Sequence, residues 1–265
     1  PTQAWALTEI GRAHRDLGDY AAAQQHYAQA IVLAQRLGDV GLLAQIQIDR
    51  SKVLRLNGQA EEAVQTLQSM QPTQWAAGQS TTLSAATEGA ILVELARAYA
   101  ALQEYEQALQ AYEQALTLAR SQGTRTGVPS LAANDATVEG EILLGRGQMQ
   151  AQLQQYAEGS QAYEAVLTLA RVTGNLSLQA RGFEGLGSLY RASQQHSQSL
   201  INYQKALPLV QQLVQRSACA GAVNPGWEAQ IQKNIGKAYQ ALGQLDEALV
   251  AYGEVQALAV RQENA

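Results

Sequence analysis

A chain of 265 residues with 46% hydrophobic side chains has ample material for a core. Its net charge of −5, with a pI of about 5.3, argues against non-specific attachment to nucleic acid or insertion at an anionic membrane, since both reward a basic surface. The single cysteine, Cys219, excludes an internal disulfide and suits a cytoplasmic setting, and no apolar run reaches the roughly 20 residues that span a bilayer.

Ala, Leu, Gln and Glu dominate, and Phe and Pro are scarce, so the expectation is helix throughout. The helices are predicted in pairs. The first pair covers 3–17 and 20–37, with Thr2 as N-cap and Leu17-Gly18-Asp19 as the turn. The second covers 40–57 and 60–71 around Asn57-Gly58-Gln59, and the third 84–102 and 105–121. The fourth covers 136–153 and 156–172, the fifth 178–193 and 196–215, and the sixth 228–242 and 245–261 around Gly243-Gln244. The longest connections, roughly 72–83, 122–135 and 216–227, all join a second helix to the next first helix. Because the chain begins at Pro1, without Met, it is read as part of a longer protein or a processed product.

One frame aligns the six pairs. Its first-helix column reads Gly11, Ser51, Ala96, Gly147, Gly187 and Gly236, and its second-helix column Ala23, Ala63, Ala108, Gly159, Ser199 and Ala248. Helices approach closely only where side chains are small, so these columns are expected at the contact within each pair. Four residues after the second column stand Tyr27, Leu67, Tyr112, Tyr163, Tyr203 and Tyr252, expected to fill space against the neighbouring helix. Arg50 and Arg146 precede the small residue where an apolar side chain is usual. They are read as structural arginines with packed stems.

These small and aromatic positions, at these offsets, resemble the tetratricopeptide repeat (TPR) family over nearly the whole chain. The frame recurs at 40, 45, 51, 40 and 49 residues, which resembles the long-helix subclass with a pitch near 40. The resemblance implies an all-α fold, a right-handed superhelical α-solenoid of six antiparallel helix pairs. As one array, its repeats would lie at about 3–38, 40–72, 84–122, 136–173, 178–216 and 228–262. It also implies a scaffold that binds a peptide or partner protein in a concave groove lined by the first helices.

Catalysis is not expected. His14, His26 and His196 form no group with metal-ligand spacing, and there is no phosphate-binding glycine loop, so neither metal nor cofactor is foreseen. His14 shares a column with Tyr99, Tyr190 and Tyr239 and is read as a packing residue. Cys219 has no visible partner to activate it.

Inward positions along each first helix should recur at i, i+3, i+7 and i+10. The third reads Arg12, Lys52, Arg97, Gln148, Ser188, Lys237 and the fourth Arg15, Arg55, Ala100, Ala151, Arg191, Gln240. Seven of the chain's 18 Lys and Arg residues fall here, where an even spread would put about one. Arg12, Arg15, Lys52, Arg55, Arg97, Arg191 and Lys237 are therefore the candidate binding residues, suited to an acidic peptide. Against this, Glu9, Asp49 and Glu94 stand three residues before Arg12, Lys52 and Arg97, where each pair also serves as ordinary helix support worth about 0.2–0.5 kcal/mol. The carboxylate clamp of some TPR proteins needs Lys and Asn at set positions. Thr8, Arg12, Asp49, Ala90 and Glu94 occupy them here, so that clamp is not expected.

The last helix, Leu245 to Val260, is apolar around much of its circumference, and terminal repeats usually need a polar outer face. It is expected to be covered by a second copy or by a downstream domain. TPR arrays of this look are often joined to a CHAT-type or ATPase effector, so a docking arm of a larger enzyme is the alternative reading. Trp75 and Trp227, in long connections, are read as folding back onto the repeats rather than as exposed anchors.

Overall fold

The computed structural model describes residues 2–70, 83–125, 133–217 and 226–263, and these residues form twelve α-helices and no strand. In chain order they are α1 (Thr2–Asp16), α2 (Tyr20–Leu37), α3 (Val40–Leu56), α4 (Ala60–Gln68), α5 (Ala85–Ala101), α6 (Tyr105–Arg125), α7 (Ala133–Gln152), α8 (Tyr156–Thr173), α9 (Leu176–Ala192), α10 (His196–Ser217), α11 (Gly226–Ala241) and α12 (Leu245–Glu263). They make six antiparallel pairs. Pro1–Ser130 and Leu131–Ala265 are two compact units with three pairs each. Trp75 and Cys219 lie outside the described residues.

All six pairs turn in the same way. Two residues past the end of the first helix stands a left-handed residue, and the next residue's N–H reaches back to close the last turn: Asp19 to His14 O at 2.9 Å, Gln59 to Leu54 O at 2.8 Å, Gln244 to Tyr239 O at 3.0 Å. Gly18, Gly58 and Gly243 supply the positive φ in three turns. Gln103, Gln154 and Gln194 adopt it in the others, at φ of 60–63°, where a side chain costs backbone energy.

Several boundaries differ from expectation: α6 runs on to Arg125 and α7 begins at Ala133, both inside the expected connection 122–135. Thr2 is the first helical residue of α1, not the residue before it. α4 stops at Gln68 instead of continuing to 71: Ser69 Oγ donates to Thr66 O, and Pro72 disfavours helical geometry at the residue before it. Asp19, Asp39, Ser84 and Asn175 cap α2, α3, α5 and α9 through side-chain oxygens that accept backbone N–H bonds of 2.9–3.1 Å.

Every residue of both small columns is buried. The bulky residue packs on the small residue of its own pair. A Cβ added at Gly11 would lie 2.7 Å from Tyr27 Cε1, at Gly187 2.7 Å from Tyr203 Cε1, and at Gly236 2.7 Å from Tyr252 Cε1. Ser199 adds a bond across its pair, donating to Gly187 O at 2.8 Å. In unit 1, Tyr27, Ile46 and Val53 anchor one cluster, and Leu54, Leu67, Ile91 and Leu95 another. In unit 2, Tyr203, Val210, Ile231 and Ile235 form a third. Each such buried side chain contributes on the order of 1.5–3 kcal/mol.

Arg50 is half-buried and donates to Glu62 of its own pair at 2.6 Å, while Arg146 is half-buried in α7. His14 stacks on His26 with ring centroids 5.2 Å apart, across the first pair. Trp227 packs into the unit 2 core and its indole N–H donates to Glu184 at 2.9 Å. Burial raises the Glu184 carboxyl above its ordinary range, outweighing the Trp227 bond and Arg181.

Candidate partner-binding face

In unit 1 the first helices α1, α3 and α5 are neighbours, and they bring five of the seven candidate cations together. Under those cations lie two carboxylates, Asp49 and Glu94, each only 1% exposed. Arg12, from α1, reaches across to Asp49 of α3, donating from Nε at 2.9 Å and from Nη2 at 2.5 Å, while its Nη1 donates to Glu9 at 2.7 Å. Lys52 Nζ donates to Asp49 at 3.0 Å, Gln45 adds a bond at 3.3 Å, and Arg15 Nη1 stands 4.0 Å away. One helix further on, Arg55 Nε of α3 donates to Glu94 of α5 at 2.8 Å, and Arg97 Nη1 donates to the other oxygen at 3.5 Å.

The within-helix pairs Glu9–Arg12, Asp49–Lys52 and Glu94–Arg97 all form. Arg12–Asp49 and Arg55–Glu94, which stitch one first helix to the next, are absent from any single-helix reading. They were findable: an acid two residues before the small residue of one repeat recurs beside bases one and four residues after that of the preceding repeat.

The arrangement is a charge double layer. Asp49 and Glu94 are buried, while the side chains of Arg12, Lys52, Arg55 and Arg97 keep 24–38% of their surface. Burial works against an ionised Asp49, yet Lys52 and Arg12 outweigh it and hold its carboxyl below the usual range. Burial also works against Arg12, and Asp49 outweighs it, raising the guanidinium further. Tyr27 is fully buried beside this cluster, its hydroxyl without a hydrogen-bond partner among the described residues, and burial followed by Asp49 pushes it up to about 12. Five cations face Glu9, Asp16, Asp49 and Glu94, so the face carries one excess positive charge, presented outward. Anchoring the long side chains from below also removes part of the rotamer entropy that a ligand would otherwise have to overcome.

The other two candidates belong to unit 2, where Arg191 on α9 and Lys237 on α11 are both exposed. In that unit the acid column reads Gly145, Gly185 and Asn234, so no carboxylate stands where Asp49 and Glu94 do, although Arg181 of α9 pairs with Glu141 of α7. On α12, Leu245 is 62%, Leu249 69%, Val250 68% and Val260 51% exposed. Among the described residues no group of His, Cys, Asp and Glu could hold a metal ion, and no helix is long and apolar enough to cross a membrane.

Tetratricopeptide repeat family models match residues 2–69 and 91–126. No curated protein sequence matches significantly. Among solved structures, BtubC (BKLC) from P. vanneervenii is similar at a TM-score of 0.74 and 17% identity, covering 91% of each chain. A putative kinesin light chain with nearly identical TPR-like repeats from Podosopora anserina is similar at 0.56 and 21% identity, over 83% of this chain and 97% of that one. A signal-transduction ATPase (STAND) with a tetratricopeptide repeat sensor from Pyrococcus horikoshii is similar at 0.66 and 13% identity, over 98% of this chain but 42% of that one. At these identities the likeness is one of fold.

Proposed function

Because the chain is a tetratricopeptide repeat protein, we propose that it is a non-catalytic interaction scaffold whose first-helix face in unit 1 grips an acidic segment of a partner protein. The carrying observation is the double layer, with Arg12, Arg15, Lys52, Arg55 and Arg97 held outward over buried Asp49 and Glu94. An acidic segment would meet pre-positioned donors and a net positive field, and each contact would weaken as salt screens it. Arg191 and Lys237 are secondary candidates on unit 2.

The test is fluorescence anisotropy with a labelled Asp/Glu-rich peptide across a range of NaCl concentrations. Affinity is expected to fall with salt and to drop at least tenfold in Arg12→Glu/Lys52→Glu. Salt-independent binding, or full affinity in that variant, contradicts the proposal.

A second reading, that the chain is the docking or sensing arm of a larger protein, is supported by the similarity to a signal-transduction ATPase with a repeat sensor, where nearly all of this chain matches 42% of that one. The exposed Leu245, Leu249 and Val260 on α12 then invite cover from a downstream domain or a second copy. Light scattering across a concentration series separates these covers. A concentration-dependent dimer supports the second copy, and a monomer at all concentrations rejects it.

A further inference from the structure

Unit 2 carries a groove of its own, lined by acidic rather than basic side chains. The second helices α10 and α12 both pack on α11, and between them lies a cavity of about 420 Å³. Its floor is apolar: Ile235 and Ala251 are buried, Leu207 is half-buried, and Val250 stands at its edge with 68% of its surface in solvent. Tyr239 and Gln204 close one side, the amide donating to the phenol oxygen at 3.0 Å. The charged groups lining it are all acidic: Asp246, Glu247 and Glu254. Asp246 and Glu247 are in the first turn of α12, where a carboxylate also suits the helix dipole. Glu254 lies about two turns further along, beyond that influence, so the acidic rim extends past what capping explains. Leu245, Leu249 and Val260 lie on a neighbouring stripe of α12 and do not line the cavity.

We propose that this groove docks a basic amphipathic helix of a partner protein. A channel between two helices above a third accepts a third ridge of side chains, the geometry by which helices pack on helices. Apolar residues at i, i+3 or i+4 and i+7 of the incoming helix would cover Val250 and Leu207. Lys or Arg on its flanks would meet Asp246, Glu247 and Glu254. The cavity volume is within the range of ligand-binding pockets. This site is independent of the basic face of unit 1 and selects the opposite charge.

The probes are two labelled helical peptides of about 18 residues with the same Leu face, one flanked by Lys and the other by Glu. The Lys peptide is expected to bind the full chain, and to bind at least tenfold more weakly to Glu247→Lys/Glu254→Lys and to Val250→Asp. These positions are exposed, so the fold should survive the changes, and circular dichroism checks this. Arg12→Glu/Lys52→Glu should leave that affinity within about twofold, which assigns the binding to unit 2 and not to the basic face. The proposal is overturned if the Lys peptide binds both α12 variants as tightly as wild type, or if the Glu peptide binds the wild type equally well and loses that binding in the same variants.

Discussion

Replacing Asp49 with Asn separates an account built on the double layer from one in which the basic residues are merely surface charges. The substitution keeps shape and removes one buried charge. Surface ion pairs are worth about 0–1 kcal/mol, and breaking a fully buried pair costs roughly 3–5. Asp49 is buried, but its partners Arg12 and Lys52 keep 32% and 31% of their side-chain surface, so they regain hydration when the carboxylate is lost. The expected cost is intermediate, about 1–3 kcal/mol. For a unit of this size that is a fall in Tm of roughly 3–15 °C. The sign with pH follows from the lowered Asp49 carboxyl: its stabilisation is complete above the unfolded value of 3.8 and is lost as pH falls through the lower folded value. The gap between wild type and variant, read by calorimetry, should therefore be widest near neutrality and close toward pH ~2. Meanwhile the amide oxygen still accepts from Arg12 and keeps it positioned, while the face gains one net positive charge; at about 8 Å through water that is worth roughly 0.5 kcal/mol, a two- to threefold gain in affinity for an acidic peptide. Lower stability together with tighter acidic-peptide binding is the signature. An unchanged Tm, a gap that does not vary with pH, or weaker peptide binding refutes the reasoning.

Three further outcomes follow from the packing and the turns. Gln103→Gly, Gln154→Gly and Gln194→Gly relieve a left-handed side chain and should each stabilise the fold by about 0.5–1 kcal/mol in chemical denaturation, whereas Gly18→Gln should cost a similar amount. Gly187→Ala drives a methyl group into the fully buried Tyr203 ring and should destabilise unit 2 by about 1–3 kcal/mol; Gly174→Ala, at a helix end with open space around it, should show only the backbone cost of its positive φ. Because burial raises the Glu184 carboxyl, its contribution is favourable below the unfolded value and lost as pH rises through the higher folded value. Glu184→Gln, which can still accept from Trp227, should therefore raise Tm at pH 7 and leave it unchanged near pH 3.

The periodic features were legible in the sequence. Small residues in two columns can be buried against each other only where helices touch, so Gly11, Gly187 and Ser199 announced both the pairs and their spacing. Turn residues announced Gly18, Gly58 and Gly243, but Gln103, Gln154 and Gln194 take the same conformation without the residue type that advertises it. The end of α4 was missed because helical periodicity continues past Gln68, while Pro72 acts from beyond it. At the candidate face, residue identity was legible and partnership was not. A spacing of three residues reveals Asp49 with Lys52, but Arg12 meets Asp49 across 37 positions of chain, a distance that only the stacking of α1 on α3 closes. The groove of unit 2 escaped for the same reason, since its lining comes from three helices.

The most direct test of the central claim is hydrogen exchange by mass spectrometry on the full chain with and without a saturating acidic peptide. The account predicts added protection in α1, α3 and α5, and its loss in Arg12→Glu/Lys52→Glu. Protection confined to α2, α4 and α6, or to unit 2, would contradict it.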